Sequence, residues 1–558
     1  MSKENVFKAR DYLFFFICVS IPFMCIPKTI NKIGFLGGPI SAQLILYPML
    51  LLFAFTSFAI WKKKNITFSY WGTIRKFLCI YICILLISAI YGIMIFPYND
   101  LLFNGNNIPV KKMDELIDLS AAYGIFFDKN QLSNVWLVIR ATKNVIFQCI
   151  YTFLFSYLIF CWYKDNYHRA LEILLCSIKI ISASIIIYSI IEIFYYMGID
   201  IARKILTVTN PLFYDIGIGM GWWPPLFWLP ARLRSFFPEP SFLGMYIAFA
   251  LPFLWTSYMS GKTKNFDIFL IFSLEVICFL TYSKTSVLLS LGECILFIML
   301  CIYSKNRKYI MNSIIFILVF FGAFGTSTLI GERFQNSSIQ PEIIVTDEKK
   351  VEEDTNTAII NEKSGIDKNS ITSSVGVAEI EYTKKYLDSN VKGAINVDSG
   401  SNSARFAVIK SELRIWENYP LVGVGVAHRQ CYIADFLSSQ EKEIGEIANC
   451  IQYQQKLGIL KSGFPSPCEY SADLAELGIV GTMLKLLPFI LLFVILGKYH
   501  NSIRKSSDNL LFIMVIVAMA GCLANGFSNH LTVIYTTWIL LGIIFAMLCA
   551  VWEKKHEI

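Results

Sequence analysis

The sequence predicts an all-α polytopic membrane protein with about twelve transmembrane helices and one large extracytoplasmic loop. Of its 558 residues, 55% are hydrophobic and only 16% are charged, whereas soluble globular domains carry about 25% charged residues. This charge content is too low to cover a water-exposed surface, and the mean hydropathy of +0.54 agrees. Apolar runs long enough to span a bilayer recur along the chain, which is the third observation.

Each transmembrane helix needs about 20 mostly apolar residues. The pair of spans within 266–303 is divided at Tyr282-Ser283-Lys284, because a single helix would be too long and would bury Lys284 in the membrane. The predicted spans fall near 11–27, 40–61, 77–96, 144–162, 171–198, 241–259, 266–282, 285–303, 309–330, 476–497, 509–527 and 532–551.

Basic residues in alternate connections predict the orientation of these spans. Lysine and arginine are enriched in cytoplasmic loops, and every predicted inner connection is basic, as in Lys62-Lys63-Lys64 and Lys305 to Lys308. The pattern predicts a multi-pass protein of a bacterial plasma (inner) membrane with both termini in the cytoplasm. No small-residue cleavage site follows the first apolar run, so we expect an uncleaved span rather than a signal peptide.

This orientation divides the chain into three parts. Residues 1–330 hold the first nine helices, with outer loops at 97–143 and 199–240, and residues 476–558 hold the last three. Between them lies the extracytoplasmic loop 331–475. Its first part, 336–400, is polar and poor in aromatic residues, which predicts flexibility. Its second part, 403–475, is expected to be ordered, and it starts with an amphipathic helix that has Phe406, Ile409, Leu413 and Trp416 on its apolar face.

The 15 cysteines indicate neither a metal site nor a redox motif, because no CxxC pair or Cys/His zinc spacing is present. Most of them lie in apolar runs, where they act as small apolar residues. Cys431, Cys450 and Cys468 lie in the polar loop, and the sequence leaves their pairing open. The net charge of +8 concerns orientation first, so we predict no nucleic-acid partner.

An anion site is predicted at the outer mouth of the sixth span. Arg232 and Arg234 lie on the side where basic residues are disfavoured, and arginine binds phosphate groups through two parallel hydrogen bonds. Glu239 precedes Pro240, which suits the first turn of a helix. The alternative interpretation is a helix cap with interfacial arginines.

Two further groups near this mouth are candidates for substrate binding. Trp222 and Trp223 form an aromatic approach that can be an interfacial belt or can stack on sugar faces. Lys284 lies at the tip of a predicted outer hairpin, where it either contacts an anion or extends along the apolar surface toward water.

The ordered half of the loop contributes two arginines and a histidine. Arg405 and Arg414 are nine positions apart, which places them on roughly opposite sides of a helix. We therefore do not expect them to act at one point, and Arg414 is a candidate for substrate binding. His428 follows the Gly423-Val-Gly425 turn and is a candidate general base or a solvated loop histidine.

Carboxylates mark the entry to the tenth span. Asp473 and Glu476 are three residues apart and stand near one face of the predicted helix. Glu476 is a candidate for proton transfer. The alternative is that both carboxylates only complement the dipole at the start of the helix.

Three stretches of the chain resemble the O-antigen polymerase/O-antigen ligase superfamily of bacterial surface-polysaccharide enzymes. Arg232 to Gly244 resembles its Arg…Glu-Pro-Ser…Gly pattern, and Ser403 to Gly425 resembles its Ser-x-Arg…Asn-Pro-Leu-x-Gly-x-Gly segment. Ala475 to Gly481 resembles its Glu-Leu-Gly-x-x-Gly entry to a span. The resemblance covers about 200–530. Pro467-Cys468 stands where ligase-like members have a His-Asn pair, which favours a polymerase.

The resemblance implies an all-helical membrane glycosyltransferase of the C type. Its donor would be a glycan on undecaprenyl pyrophosphate, and its acceptor a hydroxyl of a new lipid-linked repeat unit. Arg232, Arg234 and Arg405 would stabilise the leaving pyrophosphate without a metal or other cofactor, and Glu239, Glu476 or His428 would deprotonate the acceptor. A chain-length regulator protein is the further partner that the resemblance implies.

Two other functions stay open on the sequence. A ligase of the same superfamily would transfer finished polysaccharide to another acceptor. A lipid-linked oligosaccharide flippase would need charged or broken helices at mid-membrane. Few charges lie within the spans, the main ones being Glu192, Glu275 and Glu293, and no twofold repeat is apparent.

Overall fold

The computed structural model is an α-helical bundle, and no strand occurs in the part of the chain that it describes. The described residues are 3–24, 43–62, 70–102, 115, 117–126, 129–213, 232–261, 263–336, 401–460, 463–464 and 466–556. The predicted flexible stretch 336–400 lies outside them, apart from Asn336. The fold class is confirmed: the chain is an all-α, multi-pass membrane protein.

The main α-helices of the first half of the bundle lie within the described ranges. They are α1 (Lys3–Val19), α2 (Leu46–Trp61), α3 (Trp71–Met94), α4 (Lys129–Cys149), α5 (Phe155–Tyr163), α6 (Tyr167–Tyr196), α7 (Asp200–Phe213), α8 (Pro240–Ser260), α9 (Lys264–Leu280), α10 (Lys284–Tyr303) and α11 (Arg307–Asn336). A π-helical turn, Ile150–Leu154, joins α4 to α5 into one span.

The second half contains the described part of the long connection and the last three spans. Its helices are α12 (Ser401–Asn418), α13 (Arg429–Tyr432), α14 (Ser439–Lys442), α15 (Gly445–Leu457), α16 (Glu469–Lys505), α17 (Asn509–Asn525) and α18 (Thr536–His556).

Every predicted span overlaps a helix. Eight segments of the described chain are long and apolar enough to cross a membrane, and α1, α2, α9 and α17 are the shorter helices that fill the remaining predicted runs. Several helices begin earlier than hydropathy predicts, and in two of them charged residues explain the difference. The span of α4 and α5 starts at Leu132, because Arg140 and Lys143 lower local hydropathy but are good helix formers. The tenth span starts at Glu469 rather than near residue 476.

The loop helix α12 forms as predicted, but it buries a different face. Phe406 is exposed, whereas Ala404, Val408, Ser411 and Ile415 are buried against the rest of the protein. These mostly small residues let α12 pack closely on α16. The buried stripe also includes Glu412, whose charge made this face look polar in the sequence.

One end of the bundle, which we call the motif end, contains the first residues of α8, α10, α16 and α18 and the last residues of α9 and α17. Here Leu233 N donates to Leu280 O at 3.0 Å, and Glu469 N donates to Gly526 O at 2.7 Å. At the opposite end Arg169 pairs with Asp11 at 2.9 Å. The predicted sites at Arg232, Glu239 and Lys284 all lie at the motif end.

Candidate functional site

The two glycine-containing motifs bind each other through their backbones. Helix α16 breaks at Gly478, whose φ of 62° and ψ of −171° are not helical. The break frees the carbonyl groups of Ala475 and Glu476, which accept hydrogen bonds from Val424 N at 2.9 Å and Gly425 N at 3.0 Å. The loop after α12 thus replaces the hydrogen bonds that the broken helix loses.

Helix α3 packs against the contact between the Gly423–Gly425 loop and the break in α16. Ser88 Oγ donates to Val422 O at 2.8 Å and to Glu476 O at 3.0 Å. A Cβ atom at Gly478 would lie 2.3 Å from the carbonyl carbon of Leu421, so only glycine fits there. Three distant segments therefore meet at the backbone of Glu476.

The break also bends the start of α16 back onto its own later turns. Lys485 Nζ lies 2.7 Å from Asp473 Oδ1 and forms a second ion pair with Glu469. Twelve residues of a straight helix rise roughly 18 Å, which is farther than a lysine reaches. The kink at Gly478 brings these buried groups together.

His530, in the connection between α17 and α18, binds the other oxygen of Glu469. Its side chain is 40% exposed, whereas Glu469 is buried. Burial lowers the pKa of His530, but the charge of Glu469 and the hydrogen bond to it outweigh burial and leave that pKa above its ordinary value. A partly exposed imidazole is therefore held by a buried carboxylate.

A second buried ion pair lies beside the first. Arg429 Nη1 bonds Glu412 of α12, and Ser471 Oγ donates to the other oxygen of Glu412. Burial raises the pKa of Glu412, and the adjacent Arg429 charge opposes this rise. Arg429 Nε also lies 3.7 Å from Glu476 Oε1, and Ala427 N donates to Glu476 Oε2 at 3.3 Å.

Glu476 itself stays accessible. Its side chain is 26% exposed, whereas that of Arg429 is 2% exposed. A fixed cation thus lies behind a carboxylate that solvent or substrate can reach. Asp473 is not accessible in the same way, because its side chain is mostly buried and pairs with Lys485.

The two arginines before α8, Arg232 and Arg234, differ in exposure and in role. Arg232 is partly exposed and lies within electrostatic range of Tyr282 and of Lys284. The predicted hairpin is confirmed, since Ser283 caps α10 and Lys284 is exposed. Arg232 and Lys284 therefore concentrate positive charge at the motif end.

Arg234 is buried, which does not fit its predicted role in substrate binding. Glu192 of α6 accepts hydrogen bonds from Ser235 N at 2.8 Å and from Arg234 N at 3.3 Å. Arg234 Nη1 is 3.5 Å from Pro238 O. The side chain is turned inward and shapes the turn that carries Arg232.

Glu239 and Arg405 lie within electrostatic range of each other. Glu239 precedes α8, with Pro240 in its first turn as predicted, and Ser241 Oγ donates to Glu239 Oε2 at 3.1 Å. Burial raises the pKa of Glu239, and the Ser241 hydrogen bond and the charge of Arg405 oppose this rise. Arg405 also lies within electrostatic range of Glu446 in α15.

His428 does not have the environment of a general base. It is 1% exposed, and its ring lies 5.2 Å from that of Phe96. Burial, together with the charge of Arg140, lowers the pKa of His428 to about 4. A neutral, enclosed imidazole cannot reach a substrate hydroxyl.

Arg414 serves the loop instead of a substrate. It donates to Glu441 at 2.5 and 3.1 Å and to Phe436 O at 2.8 Å. Arg405 and Arg414 therefore act at different points, as their spacing predicts. Trp222 and Trp223 lie outside the described residues.

Cysteine pairing and metal binding have no support in the described chain. Cys431, Cys450 and Cys468 have free thiols. Among the described residues, no group of three His, Cys, Asp or Glu side chains is placed to hold a metal ion.

Sequence reasoning missed Glu412, Arg429, Glu469, Lys485 and His530 as members of this site. The clearest indication in the sequence was Lys485, which interrupts an apolar run. A lysine inside a transmembrane span requires a partner. His530 gave a weaker signal, as a histidine in a short connection at the end that holds the motifs. The pairings themselves depend on the kink at Gly478.

The site therefore has partly exposed groups supported by buried ion pairs. Asn529 Nδ2 lies 3.4 Å from Met245 Sδ of α8, which joins the His530 connection to the helix that Glu239 precedes. The accessible groups are Arg232, Glu239, Lys284, Arg405, Glu476 and His530. Cations and proton acceptors at one end of the bundle can bind an anionic leaving group and activate a hydroxyl.

One family model matches part of the chain. Residues 268–486 match the O-antigen ligase family model, and the match includes the motif stretches 403–425 and 475–481. No curated protein sequence matches the chain. The chain thus carries, at residues 268–486, a domain that matches the O-antigen polymerase/O-antigen ligase superfamily.

Proposed function

We propose that this protein joins undecaprenyl-pyrophosphate-linked oligosaccharide repeat units into a surface polysaccharide at the outer face of the plasma membrane. The observation that carries the proposal is that Arg405, on the loop helix, lies within electrostatic range of Glu239, at the start of α8. A cation and a carboxylate from two motif stretches thus interact electrostatically next to the end of a transmembrane span, and both are partly exposed. An O-antigen, a capsule and an exopolysaccharide are all products of this reaction class.

The donor chemistry accounts for the cations. A glycan on a lipid pyrophosphate is already activated, so no nucleotide is needed. When the glycosidic bond to phosphate breaks, negative charge develops on the pyrophosphate. Arg405, Arg232 and Lys284 can stabilise this charge at the membrane surface, where a lipid-linked donor lies.

The acceptor chemistry accounts for the carboxylates. The hydroxyl of the new repeat unit must lose a proton as its oxygen bonds the anomeric carbon. Burial raises the pKa of Glu239, which makes it a stronger proton acceptor than a solvated carboxylate. Glu476 is the second candidate, fixed in place by Arg429 and Ala427 N.

Substitution of the accessible arginines tests the proposal. We expect Arg405→Ala and Arg232→Ala each to lower polymer formation by roughly 10²–10³-fold, the usual effect of removing a donor that stabilises a developing charge. Glycan ladder gels of a deletion strain carrying each variant measure the loss. Lys410→Ala is the matched control, since Lys410 is an exposed cation on the same helix. Normal long-chain polymer in both arginine variants would rule out the anion site.

A ligase of the same superfamily is the second candidate, and the family model's description as O-antigen ligase favours it. The products of a deletion strain separate the two. Loss of a polymerase leaves single-repeat products, whereas loss of a ligase leaves full-length polymer on the lipid carrier. Co-purification of a chain-length regulator protein with the chain would support the polymerase.

A further inference from the structure

The proposed reaction needs a proton acceptor, and the structure offers a histidine that the sequence motifs do not contain. His530 lies in the connection between α17 and α18, at the motif end. His428 is enclosed by the protein, and His168 and His500 lie at the opposite end of the bundle. Among these four histidines, whose side chains the structure describes, His530 alone is both accessible and close to the motifs.

We propose that His530, in place of Glu239 and Glu476, accepts the proton of the acceptor hydroxyl and that Glu469 is its positioning residue. This inference rests on the proposed glycosyl transfer. His530 Nδ1 contacts Glu469. When Nδ1 donates a hydrogen bond to this carboxylate, the neutral ring keeps Nε2 as an acceptor.

The position of Glu469 is strongly determined. Its backbone N–H donates to Gly526 O at 2.7 Å, one of its oxygens pairs with Lys485, and the other faces His530. Because Lys485 is also bound to Asp473, it holds Glu469 from a fixed position. This network fixes the imidazole in one orientation and stabilises the imidazolium that forms on protonation.

The neighbours of His530 place it within the candidate site. Asn529 contacts Met245, in the helix that follows Glu239, at 3.4 Å. Arg429 and Glu412 lie within electrostatic range of the imidazole, and Arg429 also pairs with Glu476. A hydroxyl bound between α8 and the His530 connection would therefore lie beside the groups that we assign to the donor.

The proposed step is balanced. The acceptor oxygen forms a bond to the anomeric carbon, and the bond from that carbon to the pyrophosphate oxygen breaks. The electron pair of the broken bond leaves with undecaprenyl pyrophosphate. The hydroxyl proton moves to His530 Nε2 and is later released to water, for which the exposed side of the ring gives a path.

The pH dependence follows from the charged groups that face the ring. Glu469 raises the pKa of His530, and Arg429 and Lys485 partly oppose it, with Glu412 as the other carboxylate nearby. Only the unprotonated ring accepts a proton. Activity should therefore fall as the pH drops through a value above about 6.5.

The test uses purified full-length protein, with lipid-linked repeat unit extracted from the deletion strain as its substrate. We expect His530→Gln to lower kcat by about 10²–10⁴-fold, the usual contribution of general base catalysis, and to abolish the acidic limb of the pH profile. Glu469→Asp keeps a charge for Lys485 but withdraws the carboxylate from His530, so the acidic limb should move to lower pH. His500→Gln is the matched control, an exposed histidine at the opposite end.

The outcomes separate this inference from the proposed function. An inactive wild-type protein would contradict the polymerase itself. An active wild type with an unchanged pH profile in His530→Gln would contradict the assignment of His530 and leave the polymerase intact. If Glu469→Asp only lowers the melting temperature, without moving the acidic limb, the Glu469–His530 pair is structural and the proposal fails.

Discussion

At the scale of single residues, burial determines what each arginine of the loop contributes. The Arg429 side chain is 2% exposed and its partner Glu412 is fully buried. The Arg414 side chain is 37% exposed, and it pairs with Glu441 near the surface. Removal of one partner from a buried pair leaves an uncompensated charge in a poorly hydrated place, whereas water replaces the lost partner of an exposed pair.

We therefore expect Arg429→Ala to destabilise the protein by about 3–5 kcal/mol and Arg414→Ala by at most about 1 kcal/mol. Thermal unfolding in detergent measures both variants under the same conditions. The double variant Arg429→Met, Glu412→Gln removes both charges and should recover part of the loss. Equal shifts in melting temperature for the two arginine variants would contradict the role assigned to burial.

The difference between buried and exposed charges also explains which candidate site residues could be predicted from the sequence. Arg232, Glu239 and Arg405 could be named as candidates because each belongs to a motif whose residues are neighbours in the chain. Glu412 was hidden, because a glutamate in a helix with many charges is typical of a solvated face. Its burial depends on Arg429 and Ser471, which come from other elements.

At the scale of elements, the break in α16 determines the geometry of the site. A continuous helix would satisfy its own carbonyl groups and would leave Val424 N and Gly425 N without the partners that they have here. It would also separate Lys485 from Asp473. One glycine conformation therefore both docks the loop and assembles the ion pairs beneath His530.

Gly478→Ala should disrupt both features. The new Cβ would lie 2.3 Å from the Leu421 carbonyl carbon, at a φ of 62° that alanine rarely adopts. We expect a lower melting temperature and faster proteolytic cleavage within 401–460. Gly497→Ala, in the same helix, has nothing within 4 Å of the added atom and should be neutral or slightly stabilising. Similar behaviour of both variants would mean that the break does not dock the loop.

At the scale of the whole molecule, hydropathy predicts the spans well because it is a local property summed over about 20 residues. The prediction fails where charged residues within a helix are paired with residues of other elements or of a distant turn. Arg140 and Lys143 concealed the first turns of the α4 span, and Asp473 and Glu469 concealed the first turns of α16. The assembly of the site was not predictable, since it requires knowledge of which ends of the helices meet.

The orientation of the whole bundle gives the last prediction. Basic residues of the described connections, such as Lys305 and Arg307, lie at the end opposite the motifs, so the positive-inside rule predicts that the motif end lies outside the cytoplasm. In spheroplasts, a membrane-impermeant maleimide should label Glu443→Cys, an exposed position beside α14. It should label Asn501→Cys, exposed near the far end of α16, only after permeabilisation.

Labelling of the unsubstituted protein provides the background for this experiment, because the chain contains 15 cysteines. The result bears directly on the proposed reaction. A lipid-linked repeat unit presented at the outer leaflet can reach Arg232, Arg405 and His530 only if they face outward. Labelling of Asn501→Cys but not Glu443→Cys in intact spheroplasts would place the site in the cytoplasm, where a polymerase of outward-facing repeat units could not work.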